Sequence, residues 1–233
     1  IEGQSDVEQL ADLALGRLRD KRDQLLAALR GGIREHHRFM LKLLMDQLAG
    51  LEQLIARLEA RIDQVMMPFA EQIERLDAVP GIDVRSAQSL IAETGGDMTA
   101  FPSAAHLCSW AGMCPGNHES AGKRKKGTTR PGNRWLRATL TQCAWAASHT
   151  KNTYLSAQYR RLAARRGKKK ALIAVGRSIL TIAYEMKAHD TLFKDLGGDW
   201  FDRQQPQRLQ KHLVKRLESL GYKVTLEPQR PAA

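Results

Sequence analysis

Between Leu41 and Phe69 apolar residues recur in steps of three and four without a miss: Leu41, Leu44, Leu48, Leu51, Ile55, Leu58, Ile62, Val65 and Phe69. Charged residues fill the gaps. This is an a/d seam over about four heptads, and it predicts one long helix. Such a helix cannot bury its seam on itself. The pattern calls for a partner, either the preceding helix folded back as a hairpin or another subunit. Residues 6–29 read as that preceding helix, with Asp6 as N-cap and Leu10, Leu13, Leu18, Leu25 and Leu29 on a looser apolar face; Gly31-Gly32 ends it. His36 and His37 are adjacent, so they fall on different faces and read as exposed polar residues rather than a metal pair. Pro68 ends or kinks the long helix, and a second helix is expected over 70–78.

The pattern then shortens. Val79-Pro80-Gly81-Ile82-Asp83 is a turn, followed by a helix over 84–93 with Ala87, Leu90 and Ile91 inward. Helix, turn and helix resemble a helix-hairpin-helix, whose backbone N–H groups face a DNA phosphate. Asp83 stands where that motif has its second glycine and brings a carboxylate to the phosphate position. A phosphate site and a structural corner both stay open. Ser103 is the expected N-cap of a short helix through Ala104, Leu107, Trp110 and Ala111. Asn133 caps a helix from Arg134 to about His149, with Leu136, Leu140, Cys143, Ala144 and Ala147 on one face; their small size predicts close helix packing. Gly167 interrupts the next helical stretch, and a helix from Lys170 to about Lys187 follows with Leu172, Ile173, Ile179, Leu180, Ala183 and Met186 inward. An amphipathic helix over 204–220 carries Leu209, Leu213 and Leu217, and Gly221 terminates it. Tyr222 to Leu226 alternates like a short strand, and 228–233 reads as a disordered tail.

The expected fold is mainly α: a long helical hairpin or coiled coil, then a compact all-helical domain with a helix-hairpin-helix-like element. The expected division is 1–76 helical linker, 77–203 helical domain, and 204–233 amphipathic helix and tail. The chain opens without Met, which reads as a fragment or a processed product. No signal peptide pattern and no apolar run of transmembrane length is visible, so no membrane partner is expected and a cytoplasmic, nucleoid-associated bacterial location is. Three cysteines, Cys108, Cys114 and Cys143, with no Cys-x-x-Cys pair, predict reduced thiols rather than a disulfide or zinc module.

Charge changes this picture most. The net charge is +12, but residues 1–78 hold 11 Lys/Arg against 14 Asp/Glu, whereas residues 79–233 hold 26 against 11. The second part is a polyanion binder by composition, with nucleic acid as the expected polyanion. Two stretches concentrate the cations. Ala111–Arg137, rich in Gly, Pro, Asn, Ser and Thr, carries Lys123, Arg124, Lys125, Lys126, Arg130, Arg134 and Arg137 against one acid, Glu119. Residues 158–177 carry Arg160, Arg161, Arg165, Arg166, Lys168, Lys169, Lys170 and Arg177 with no acid at all. The first turn of the helix after Gly167 is therefore basic, against the helix dipole, which suits a bound anion; a solvated charged face is the plainer reading.

Phosphodiester chemistry can run through metal ions or a nucleophile. A two-metal site needs three or four converging carboxylates. Glu93 and Asp97 flank Gly95-Gly96, and Asp195, Asp199 and Asp202 sit around Gly197-Gly198; neither set makes a cluster, so no metal site is expected. The nucleophile reading rests on Ser120, a hydroxyl among small residues just upstream of four consecutive cations, with Lys123, Arg124 and Arg134 to hold phosphate and His118 or Glu119 to take a proton. From spacing alone Ser120 is equally a phosphate-binding or merely exposed serine.

The Val79-Pro80-Gly81-Ile82 turn, the Ala111-Gly112-Met113-x-Pro115 step, Ser120-Ala121-Gly122-Lys123, and Gly132-Asn133-x-x-Leu136-Arg137 occur together over residues 79–190. In combination they resemble the transposase domain of the DEDD-type insertion-sequence transposases, the "IS one-ten" family, to which the pilin-inversion recombinase Piv is related. The preceding heptad helices resemble the coiled-coil segment between that family's two catalytic regions.

The resemblance implies a DNA transposase or site-specific recombinase that cleaves and transfers DNA strands during transposition of an insertion sequence. It implies that a serine, here Ser120, attacks the DNA backbone and links to it transiently. It implies that a structured bridge-type RNA selects the DNA partners. A separate RuvC-like domain would hold Mg²⁺ on a DEDD acid set. No counterpart of that domain is found in this chain, so no cofactor is expected here and the chain alone is expected to be inactive. On this reading Lys123, Arg124, Lys125, Lys126, Arg130 and Arg134 hold phosphates, and Arg160, Arg161, Arg165, Arg166, Lys168, Lys169 and Lys170 grip DNA or RNA. The heptad helix joins subunits into a homo-oligomer. The alternative is a non-catalytic DNA- or RNA-binding and oligomerisation module; a purely structural interaction protein is disfavoured by the basic second part.

Overall fold

The structure is a computed structural model describing residues 6–31, 34–116, 119–124 and 128–227, with only the backbone described at 119, 120, 123 and 124. It is mainly α, and the chain divides into two units, Ile1–Met67 and Pro68–Ala233.

In the first unit the expected 6–29 helix is broken. Helix α1 spans Val7–Asp12, a 3-10 turn spans Gly16–Lys21, and α2 spans Arg22–Leu29. Asp6 does cap α1, its Oδ1 accepting from Glu8 N at 3.0 Å. The break falls at Gly16, whose positive φ of 58° no helix accommodates. Arg22 reaches back to Asp12 at 3.0 Å, and α1 packs on α2. Helix α3, Glu35–Met66, is the expected long helix. Its seam stays open: Leu48, Leu51, Ile55 and Leu58 are all at least half exposed. The short broken pieces do not make the long antiparallel partner that a hairpin reading requires, because the 32-residue helix is matched by only 8 residues of α2. Pro68 acts as expected: α3 gives way to a 3-10 turn over Met67–Phe69 and then to α4, Ala70–Asp77.

The second unit begins at Pro68, so α4 belongs to it. Ile73 and Leu76 are buried there, and Arg75 pairs with Asp190 and Glu71. Helix α5, Val84–Thr94, follows the Pro80-Gly81 turn, and α6 spans Ala104–Trp110. Two two-residue strands, β1 Glu119–Ser120 and β2 Lys123–Arg124, lie in the loop before α7, Arg134–His149. Then come α8, Tyr154–Arg166, and α9, Lys168–Ala188. Short α10, Trp200–Gln204, and α11, Pro206–Glu218, complete the order.

Helix α9 is the centre of the core and packs on α6, α7 and α8, while α5 packs on α4 and α7. The expected inner face of α7 is the observed one: Leu136, Leu140, Cys143, Ala144 and Ala147 are buried. For α9 the face is rotated. Ile179, Leu180, Ala183 and Met186 are buried as expected, but Ala171, Val175 and Gly176 take the inner positions in place of Leu172 and Ile173, which are half-buried. Close approach decides this. A Cβ at position 176 would lie 2.6 Å from Met113 Cε and 3.1 Å from Leu140 O, so only a small surface fits under α7. Beyond Gly221 the expected strand over 222–226 does not form; these residues are irregular, and Leu226 lies beside Val214 of α11. No partner strand exists among the described residues to pair with them. The 228–233 tail lies outside the described residues.

Candidate nucleic-acid interface

The basic loop between α6 and α7 is a two-stranded arm with a pinned base. At its neck Gly112 and Gly132 cross backbone to backbone. A Cβ at 132 would lie 2.3 Å from Gly112 N, and one at 112 would lie 2.8 Å from Arg130 O. Gly112 also has φ 69°. The chain ends are tied by Met113 N donating to Cys108 O at 2.9 Å and Gly116 N donating to Thr128 O at 2.9 Å, with a bridge between Pro115 and Thr129. At the tip Glu119 pairs with Arg124 and Ser120 with Lys123. Ala121 and Gly122, at φ 50° and 72°, supply the two left-handed residues that a tight two-residue hairpin requires. Sequence reading finds the turn residues but not the strand pairing, because each strand is too short to show alternation.

The far end of the arm is anchored by α7. Asn133 caps it as expected, its Oδ1 accepting from Trp135 N and Leu136 N at 3.0 Å each. Its Nδ2 donates to Glu93 Oε2, which ties the arm to α5. Glu93 is therefore an anchor. Asp97, Asp195 and Asp199 are similarly engaged. Asp97 takes the Thr99 N–H and hydroxyl, and these bonds hold its pKa below the ordinary value. Asp195 accepts from Tyr154 N and Gly197 N, and Asp199 pairs with Arg203 at 3.1 Å. Among the described residues no three His, Cys, Asp or Glu side chains gather as a metal site.

The arm's root opens onto a groove of about 1470 Å³. Met113, Pro115, Gly116, Thr128 and Thr129 form one end, and α8 and the outer face of α9 form the walls. The floor is apolar, with Leu162, Ile173 and Ile182; the cations of the rim are Arg137, Arg166, Lys169, Lys170, Arg177 and Lys194. Among the described residues the first basic stretch contributes Arg137 to this rim, and the second contributes Arg166, Lys169, Lys170 and Arg177. Ile173, expected in the core, is floor instead. Among the described residues the one carboxylate on the rim is Glu185, which lies 3.2 Å from His189 Nε2. Among the described residues none of the rim cations is in an ion pair.

The remaining predicted cations divide. Arg161 lies 4.8 Å over the Phe201 ring, within an aromatic cluster of Tyr154, Trp200 and Phe201. Arg160 folds back on Ser156, its Nε donating to the carbonyl at 3.4 Å. Neither lines the groove; both are engaged by contacts within the fold. Arg165, Lys168 and Arg130 are exposed and do not line the groove. Arg134 sits over the Trp135 ring at 5.7 Å. Ser120, Lys123 and Arg124 are at the arm's tip by their backbone; His118, Lys125 and Lys126 lie outside the described residues.

The Pro80-Gly81 turn does not face outward. Val79 and Ile82 are buried, and a Cβ at 81 would lie 2.3 Å from Cys143 O of α7. Asp83 caps α5, its Oδ1 accepting from Ser86 N at 2.8 Å, and the Ser86 side chain first and this backbone bond second keep its pKa low. The carboxylate occupies the anion position of the helix N-terminus, and the turn is a corner packed on α7.

No helix among the described residues is long and apolar enough to cross a membrane. Residues 73–160 match the family model described as Transposase IS116/IS110/IS902 family. A Pseudomonas aeruginosa protein named "Probable family 20 transposase" is 36% identical over 108 residues, covering 46% of this chain and 31% of that protein. A Streptomyces coelicolor protein named "Insertion element IS110 uncharacterized 43.6 kDa protein" is 31% identical over 121 residues, covering 51% of this chain and 29% of that protein. The matched part spans about a third of the length of these relatives.

Proposed function

We propose, from the match of residues 73–160 to the IS116/IS110/IS902 transposase family model, that this chain works in DNA transposition by an insertion element, with the arm acting on the DNA backbone and the groove gripping nucleic acid. The observation that carries the reading is the row of cations along one groove at the root of the arm, Arg137 with Arg166, Lys169, Lys170 and Arg177, which make no ion pair among the described residues.

In this reading the Ser120 hydroxyl attacks a backbone phosphorus. An Oγ–P bond forms, one P–O bond to a deoxyribose breaks, the serine proton passes to a base, and the departing sugar oxygen takes up a proton. Lys123, Arg124, Lys125, Lys126, Arg130 and Arg134 hold the phosphate and offset its growing charge. Arg137, Arg166, Lys169, Lys170 and Arg177 hold the flanking backbone, and the apolar floor takes the sugar faces. A bridge-type RNA, by resemblance, is the second polyanion the surplus of cations would serve. Mg²⁺ would be held by a RuvC-like DEDD set; Glu93, Asp97, Asp195 and Asp199 do not fit it, because each carboxylate is spent on a cap or an anchor. The open seam of α3 would join two copies of the chain.

The test is a recombination assay with a RuvC-like DEDD domain supplied ahead of residue 1. Ser120→Ala is expected to abolish strand exchange and the covalent protein–DNA adduct while leaving DNA binding intact. Unchanged recombination would remove Ser120 from the mechanism and favour the non-catalytic binding module.

A further inference from the structure

Helix α7 presents a second surface, which shares only Arg134 with the cations proposed to hold the phosphate at the arm. Opposite its buried face it turns Arg134, Trp135, Ala138, Gln142, Trp145 and His149 outward. Trp135 is 69% exposed and Trp145 60%. Burying an indole is among the largest hydrophobic gains a side chain offers, so two left in water on one helix need a partner. The face has a definite chemistry. The whole of α7 contains no Asp or Glu. Arg134 lies over the Trp135 ring, and the His149 ring lies 4.5 Å from that of Trp145. Between the indoles the surface is low, with Ala138, Gln142 and Ala146. The two are ten residues apart, about 15 Å along the axis at the usual rise.

We infer that this face of α7 is a stacking platform for unpaired nucleobases, with Trp135 and Trp145 as its two stacking rings and Arg134 beside the first to meet a phosphate. Indole rings on a helix that carries no carboxylate of its own, with an arginine beside the first, suit single-stranded nucleic acid. A duplex hides its base faces and offers such rings nothing. The inference rests on the reading that the chain binds nucleic acid, and it adds which form: a displaced or looped single strand, held beside the arm that α7 anchors.

The experiment titrates the chain with a labelled oligodeoxythymidylate and with a blunt duplex of equal length, reading anisotropy and tryptophan fluorescence. The oligonucleotide is expected to quench the fluorescence. The Trp135→Ala/Trp145→Ala variant should bind it at least about tenfold more weakly, with an unchanged salt slope and unchanged duplex affinity. Trp135→Phe/Trp145→Phe should retain most of the affinity. Because both indoles are exposed, all variants should melt with the wild type. Equal oligonucleotide binding by the double alanine variant would overturn the platform while leaving the groove reading intact. So would an effect confined to self-association, which would make the face a protein contact. Wild-type protein that binds neither ligand would overturn both readings.

Discussion

Gly112 and Gly132 touch through their backbones at the neck of the basic arm, so closely that neither position has room for a methyl group. One precedes the arm and the other ends it, and their crossing brings the two ends together above α6 and α7. The arm's direction is therefore set by a contact between two residues that carry no side chain.

Gly132→Ala is expected to destabilise the second unit and to misdirect the arm. The new Cβ would meet Gly112 N at 2.3 Å, and backbone cannot move aside as a flexible side chain can. Overpacking of this kind costs about 1–3 kcal/mol. Gly122→Ala at the tip is the contrast: its Cβ would meet nothing within 4 Å, and only the positive φ of 72° resists it, at a cost of about 1 kcal/mol. Urea denaturation of the two variants should rank them in that order; equal effects would mean the neck is looser than described.

Lys169→Gln, Lys170→Gln and Arg177→Gln should each lower the salt slope of DNA affinity by about one while leaving stability unchanged, since these cations line the groove and make no ion pair among the described residues. Arg161→Gln should do the reverse. Its guanidinium lies over Phe201, so thermal stability falls and the slope barely moves. A slope that Arg161 controls and Lys169 does not would place the nucleic acid elsewhere.

Asp83→Ala should cost about 1 kcal/mol at neutral pH, the usual worth of an N-cap, and Asp83→Asn much less. The Ser86 bonds depress the carboxyl's pKa in the folded state. Its contribution is therefore full above the unfolded value of about 3.9 and is lost as pH falls through the depressed value. The gap between wild type and Asp83→Ala should stay constant down to about pH 5 and close on further acidification. A gap that widens in acid would contradict the cap.

Leu51→Asp with Ile55→Asp should convert an oligomer into a monomer in light scattering, because both residues stand half exposed at the middle of the open α3 seam. The second unit should keep its melting transition. Wild-type chain that is already monomeric at micromolar concentration would refute the seam as an intersubunit contact.

The sequence by itself determined the elements whose physics is local. Capping residues Asp6, Ser103 and Asn133 mark helix starts because each satisfies free N–H groups within three residues. The α3 seam and the inner face of α7 follow from a period that a helix repeats. The two cation clusters are plain from composition. Tertiary structure decided what depends on distant neighbours. It rotated α9 so that Gly176 faces α7 and Ile173 faces the groove, since volume under a crossing helix is set by both partners. It turned Glu93 and Asp195 into anchors by supplying Asn133 and Tyr154, residues 40 and 41 positions away. It set Arg137 of the first basic stretch beside Arg166, Lys169, Lys170 and Arg177 of the second on one rim, and it assigned Arg161 to Phe201 instead. Charge can be counted along a chain, but the side of a helix on which each charge finds a partner is a property of the packed fold.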